Sequence, residues 1–299
     1  MIAILSARHF NRYQRLLAPH QIECSADPAA ADVWLAEPAL AAKALQQGHR
    51  PRWIASVYAG VDALLQSGIE ADYQLTNVRE VFGPLMTEYV FAQLLSRLRQ
   101  LPRYAEAQQQ QQWRPKGYGS LAQQTLVLVG TGNIGQCIAK AANAFGMTVI
   151  GVNTDGRDID GFQRCYPSNQ LHQALAQGDA VVSILPSTSA TEKRFDASAF
   201  AAMKAEAGFI NVGRGSAVDT NALTAALTEQ RLAFAVLDVF EQEPLPSSSP
   251  LWHCPNLTIT PHIAAASFPE QVASQFIDNL QRDRQGEPLW HLVDKQKGY

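Results

Sequence analysis

The 299-residue sequence predicts an α/β protein built from two doubly wound α/β domains, the larger of them a Rossmann dinucleotide-binding domain. Three observations carry this. Short apolar runs alternate with stretches of helical spacing along most of the chain. The runs are unbroken rather than alternating, as expected of parallel strands covered on both faces. One of them opens into a glycine-rich turn of the kind that holds dinucleotide phosphates. The length suggests about two domains.

Taken in order, Met1–Leu5, Val33–Ala36 and Trp53–Tyr58 read as strands of a first α/β unit. A long helical pattern follows from about Leu85 to Gln112 and ends in five consecutive glutamines, read as a solvated helix face. Strand-like runs then recur at Thr125–Gly130, Thr148–Asn153, Ala180–Pro186, Gly208–Gly213, Ala233–Phe240 and Leu257–His262. Helical spacing separates several of them, at Ile134–Phe145 and Thr220–Glu229. A last helix is expected over about Phe268–Arg284, before a polar tail.

Composition narrows the function classes. Hydrophobic residues make up 46% and charged residues 17%, and the net charge is −3 without a basic stripe. That is an ordinary globular composition, and it disfavours nucleic acid as a partner. Cys24, Cys137, Cys165 and Cys254 are dispersed and form no CxxC, so they read as free thiols in a reducing compartment, the cytoplasm, and no metal site is expected. The apolar start is too short for a signal-peptide core, and no run approaches the ~20 residues of a membrane span.

The turn in question is Gly130-x-Gly132-x-x-Gly135, with Asn133 and Ile134 between the last two glycines. Alone, such spacing is weak evidence. Here it follows a strand, opens a helix, and is followed by a strand ending about 20 residues on, which is the context a dinucleotide site requires. The first glycine permits the turn, the second admits the pyrophosphate, and the third lets the helix pack closely. The helix N-terminus offers N–H groups to the phosphates. A plain strand-to-helix turn and a methyltransferase glycine loop are the competing readings.

Three further segments end at or just past predicted strands: Gly213-Arg214-Gly215, the loop holding Glu243, and the loop holding His262. In an open α/β sheet that edge faces the ligand crevice. Reduction of a 2-keto acid needs a hydride on the carbonyl carbon and a proton on its oxygen. A dinucleotide supplies the first and a histidine the second. A carboxylate beside the ring favours its charged form, and an arginine grips the substrate carboxylate and polarises the carbonyl. On this reading Arg214 is held out by flexible flanking glycines. Each residue has a bland alternative: a hydrogen-bonded loop histidine, a solvated glutamate, an arginine that caps a helix or pairs with Asp219.

Together, Gly130–Gly135, "INVGRGSAVDTNAL", "LDVFEQEPLP" with "PLW", and "PNLTITPHIA" resemble the D-isomer-specific 2-hydroxyacid dehydrogenases, over about Glu88 to Ala266. The resemblance implies an active site in a cleft between two domains, 1–87 completed by 268–299 for substrate and 88–267 for the dinucleotide. It implies Arg214 as substrate-binding arginine, His262 as acid/base and Glu243 as its partner. Asp238 matches a family position and is grouped with the cofactor residues. "SVYAGVD" resembles the loop whose backbone N–H groups bind the substrate carboxylate, assigned to Ala59, Gly60 and Val61. Tyr58 would line the pocket or pack under the loop. "SILPSTSAT" resembles the segment beside the nicotinamide, with Pro186 as a rigid wall. The pattern is closest to the glyoxylate/hydroxypyruvate reductase-like branch, and a glutamate at 243 separates it from formate dehydrogenases. A relative acting as a dinucleotide-dependent co-repressor supplies the other reading, an interaction module without turnover. A homodimer joined through the second domain is implied, with Leu85–Gln112 as an arm and Trp113 just beyond.

Cofactor choice rests on the end of the second strand of the dinucleotide unit. An acidic residue there accepts hydrogen bonds from the ribose 2′-OH of NAD. Here the position holds Asn153, followed by Thr154, with Arg157 close by. That set suits the 2′-phosphate of NADP. Asp155, if turned inward, would restore NAD, and Arg157 as an ordinary solvated charge is the bland alternative.

Overall fold

The computed structural model describes residues 1–65 and 72–295. The chain divides into two compact units, residues 1–81 with 266–299, and residues 82–265.

The first unit runs β1 (Ile2–Leu5), α1 (Phe10–Leu17), β2 (Cys24–Ser25), β3 (Val33–Ala36), α2 (Pro38–Gln46), β4 (Trp53–Ser56) and β5 (Gln74–Thr76). Its sheet has the order β2-β1-β3-β4-β5 with every pairing parallel. β1, β3 and β4 are buried throughout, which explains their unbroken apolar character. The expected third strand stops at Ser56 rather than Tyr58. The Ser56 hydroxyl accepts from the Tyr58 N–H and donates to its carbonyl, and that turn ends the strand. The expectation omitted β2 and β5, which are too short to show a period.

The second unit opens with α3 (Phe82–Leu98) and α4 (Leu101–Gln109). The sequence pattern reads as one helix, but Gln100 adopts a left-handed conformation (φ 54°). Pro102, in the first turn of α4, lacks the N–H a continuous helix needs, so the pattern breaks there. Then come β6 (Thr125–Val129), α5 (Asn133–Ala144), β7 (Thr148–Asn153), β8 (Arg164–Pro167), α6 (Leu171–Leu175), β9 (Ala180–Ser183), α7 (Ala197–Ala201), β10 (Gly208–Asn211), α8 (Thr220–Thr228), β11 (Phe234–Leu237) and β12 (Leu257–Ile259). After it α9 (Pro269–Arg284) returns to the first unit. β8 was not expected, because arginine and proline at its ends mask a four-residue strand.

The seven-stranded parallel sheet has the order β12-β11-β10-β9-β6-β7-β8. The order reverses between β6 and β9, the topological switch point beside which α/β folds bind ligands. Apolar clusters cover both faces of this sheet. One includes Phe195, Phe200 and Phe209, with ring centroids 4.7 Å (195–209) and 5.3 Å (200–209) apart. This packing fixes the strands and thereby the loops at their C-terminal ends. Among the described residues no helix is long and apolar enough to cross a membrane.

Candidate active site

The glycine turn leaves β6 at Gly130, whose φ of +112° suits glycine alone. A Cβ on Gly135 would sit 2.3 Å from the Gly130 carbonyl oxygen, so this glycine allows α5 to press onto the turn. A Cβ on Gly132 would meet nothing within 4 Å, which leaves room for a ligand to approach. The N–H groups of Asn133, Ile134 and Gly135 have no acceptor among the described residues, and α5 is long enough to present a positive end there. The cradle fits a pyrophosphate.

β7 ends at Asn153. Its amide donates to the Thr131 hydroxyl (3.3 Å) and the Arg157 carbonyl (2.9 Å) and accepts from Gly156 N–H (2.6 Å). Asn153 thus organises the loop that carries Thr154, Asp155 and Arg157. Arg157 pairs with Asp155 at 3.1 Å, both largely exposed. The Arg157 backbone N–H, with its guanidinium in support, holds the Asp155 carboxyl below the usual range. Thr131 was not singled out in the sequence; it is buried, and only the fold shows that it supports the end of β7.

Arg214 follows β10. The buried Asn211 donates to the Arg214 carbonyl (2.9 Å) and accepts from Gly213 N–H (3.2 Å). The flanking glycines do not supply the expected flexibility. A Cβ on Gly213 would lie 2.6 Å from the backbone of Leu185, and one on Gly215 1.9 Å from the carbonyl carbon of Phe240. Both are needed because backbones from neighbouring strand ends touch them, so the arginine sits on a rigid support. Asp219 caps α8 by accepting from Ala222 N–H.

His262 and Glu243 meet. Histidine Nδ1 lies 2.7 Å from Glu243 Oε2, and Glu243 Oε1 accepts from Phe240 N–H at 2.9 Å. With the carboxylate as acceptor, Nδ1 carries the proton of this bond, which leaves Nε2 as the ring nitrogen open to a reactant. Both side chains remain partly open to solvent. Glu243 is thus partly solvated and at the same time bonded to the histidine.

Asp238, grouped in the sequence reading with the cofactor residues, ties down the loop that carries His262. It is buried, and its Oδ1 accepts from the Thr260 hydroxyl (2.6 Å) and Ile263 N–H (2.9 Å). Its Oδ2 accepts from Ala264 N–H (2.9 Å), and its carbonyl accepts from His262 N–H (2.8 Å). These bonds hold His262 in its left-handed conformation (φ 55°). The Tyr89 hydroxyl bonds Thr260 at 2.5 Å and extends the network to α3. Nothing in the sequence signalled Tyr89 or Thr260.

Pro186 follows β9, and its carbonyl accepts from the Thr191 hydroxyl (2.6 Å), which closes the 186–191 turn. In the first unit, the N–H groups of Ala59, Gly60 and Val61 have no acceptor among the described residues. Tyr58 N–H is taken by Ser56, the Ala59 carbonyl accepts from Asn77 Nδ2, and Tyr58 is 43% exposed.

Comparison with known proteins shows the family. Residues 91–264 match the model of the D-isomer specific 2-hydroxyacid dehydrogenase NAD-binding domain. A glyoxylate/hydroxypyruvate reductase A of Yersinia enterocolitica is 34% identical, over 81% of this chain and 79% of that protein. A crystal structure of a family protein from Aeromonas salmonicida is similar with a TM-score of 0.92 and 45% identity, over 98% of both chains. An NADPH-dependent glyoxylate/hydroxypyruvate reductase from Sinorhizobium meliloti, in complex with NADP and sulfate, has a TM-score of 0.89 and 30% identity, over 100% of this chain and 99% of that one. The chain belongs to the D-isomer specific 2-hydroxyacid dehydrogenases, a family of NAD(P)-dependent oxidoreductases. Within that family it groups with the glyoxylate/hydroxypyruvate reductase-like branch.

Proposed function

We propose that the protein reduces a small 2-keto acid of the glyoxylate or hydroxypyruvate type to the D-2-hydroxy acid, with NADPH as the preferred reductant. The observation that carries the reading is the His262–Glu243 pair, on the strand-end edge where Arg214 and the glycine turn also lie. A nicotinamide dinucleotide bound on Gly130–Gly135 supplies the hydride to the carbonyl carbon. His262 Nε2 gives its proton to the carbonyl oxygen, while Glu243 stabilises the imidazolium and fixes the ring. Arg214 forks onto the substrate and polarises the carbonyl. Backbone N–H groups of Ala59, Gly60 and Val61 bind the substrate carboxylate. Pro186 forms a rigid wall at the nicotinamide.

For the cofactor, the neutral Asn153 removes the carboxylate that would repel a 2′-phosphate, and Thr154 and Arg157 lie in reach of one. Relatives crystallised with NADP or NADPH support this. Asp155 competes for Arg157, so NADH use is retained at lower efficiency. A homodimer in the cytoplasm accompanies this reading. Trp113 (96% exposed) and Tyr118 offer apolar surface after α4, and light scattering at assay concentration is expected to give twice the chain mass.

The test is turnover of glyoxylate, hydroxypyruvate and pyruvate with NADPH and with NADH. Turnover with higher kcat/KM for NADPH is expected. Cofactor binding without turnover of any 2-keto acid would overturn the reading in favour of an interaction module.

A further inference from the structure

The Tyr89 side chain reaches the histidine loop by a directed chain of hydrogen bonds. Asp238 and Thr260 stand just past the ends of β11 and β12. The Thr260 hydroxyl donates its one proton to Asp238 Oδ1 (2.6 Å). It has none left for the Tyr89 oxygen 2.5 Å away, so Tyr89 is the donor of that bond. The ring is half-buried, and burial pushes the Tyr89 hydroxyl up from its ordinary value, which keeps this proton in place around neutral pH. A hydroxyl that accepts one hydrogen bond while donating another to a carboxylate is polarised by both, and each bond strengthens the other.

The far end of the chain is the backbone around His262. The Asp238 carboxylate takes the Ile263 and Ala264 N–H groups (both 2.9 Å), and its carbonyl takes the His262 N–H (2.8 Å). With a φ of 55°, His262 holds a conformation that a non-glycine residue keeps only under constraint from its surroundings. The near end is a fixed post. Val90, Phe91 and Leu94 of α3 are buried in one cluster with Ile138, Ala139 and Ala142 of α5 and Val236 of β11. Tyr89 precedes Val90 on that helix, so it holds Thr260 from an element that packing keeps in place. Without the phenol, the Thr260 hydroxyl loses the donor that fixes its direction, and the strained loop loses one of its ties.

We propose that Tyr89 is a positioning residue for proton transfer by His262, acting through Thr260 and Asp238. The assignment rests on the reductase reading above, with His262 as the acid. It separates two roles for α3: its apolar face packs on α5, which carries the glycine turn, and its tyrosine serves the histidine loop.

The experiment measures kcat and KM for glyoxylate, and KM for NADPH, in wild type and Tyr89→Phe, each with His262 present and with His262→Ala. Phenylalanine keeps the ring and removes only the donated bond. A fall in kcat of about 5-fold is expected, the order of one neutral hydrogen bond, with KM for NADPH unchanged. In the His262→Ala background the same change is expected to cost nothing, because the group it positions is gone. Thr260→Val is expected to lose at least as much kcat as Tyr89→Phe, and Thr260→Ser, which keeps the hydroxyl, to lose less. An unchanged kcat in Tyr89→Phe would overturn the proposal. So would an equal fold-loss in both backgrounds or a raised KM for NADPH, either of which makes Tyr89 a packing residue of α3. If Tyr89→Phe does not fold, Thr260→Val and Thr260→Ser in both backgrounds decide the question by the same criteria. Failure of the wild type to reduce glyoxylate, hydroxypyruvate or pyruvate would instead sink the reductase reading.

Discussion

The segment from Asp238 to Ala264 and the loop from Asn153 to Arg157 both leave C-terminal ends of strands in the seven-stranded sheet, and they are secured by different means. The first is tied by a buried carboxylate with three donors, a strand-end carbonyl, a tyrosine from α3 and a glycine pressed against Phe240. The second is held mainly by one asparagine amide, and its charged residues pair in solvent. The contrast follows from the tasks proposed for them. A proton donor must keep one geometry to within a fraction of an ångström, and buried networks with every donor satisfied supply that rigidity. A loop that grips one end of a large cofactor can gain from a few exposed charges, each worth little on its own.

Four substitutions sharpen the comparison. Histidine 262 carries the largest effect. His262→Ala is expected to lower kcat by about 10²–10⁴-fold, the usual worth of positioned acid–base catalysis. Steady-state rates near wild type would remove the histidine from the reaction. Asp238→Ala comes next. It strands three donors in a buried place and is expected to cost about 2–4 kcal/mol of stability, read as a lower urea midpoint. An unchanged midpoint would mean that the His262 loop is held by something other than this carboxylate.

Glu243→Gln keeps a group that can accept from Phe240 N–H but removes the charge beside the ring. A loss of about 10-fold in kcat for keto-acid reduction is expected, with the variant as stable as wild type. A loss as large as that of His262→Ala would show that Glu243 does more than orient and stabilise the ring. The smallest effect belongs to the exposed loop. Arg157→Ala is expected to lower kcat/KM for NADPH by less than about 10-fold and to leave the NADH value nearly unchanged. Equal losses with both cofactors would remove Arg157 from phosphate recognition and leave it a structural partner of Asp155.

Much of the site was legible because its chemistry lies at strand ends. Arg214, Glu243 and His262 each follow an apolar run, and the sheet turns that shared feature into a shared edge. The glycine turn was legible for the same reason. Asp238 was visible as a residue but not in its use, since its donors lie 22 to 26 positions further on. The break at Gln100 had a local signal in Pro102, but the apolar period on both sides concealed it.

The sequence by itself determined the alternation of strands and helices, the parallel sheet and the residue types proposed for phosphate binding and proton transfer. These follow from local periodicity and from which side chains can bind phosphate, carry a proton or grip a carboxylate. The tertiary structure decided how those residues are held. The glycines around Arg214 prove to be points of backbone contact, Asp238 proves to be an anchor, and Tyr89 of α3 is joined to Thr260. Each depends on contacts between segments at least 22 residues apart in the chain. Such close approach and mutual hydrogen bonding arise only when packed strands bring the loops together, and no pattern of neighbouring residues encodes them.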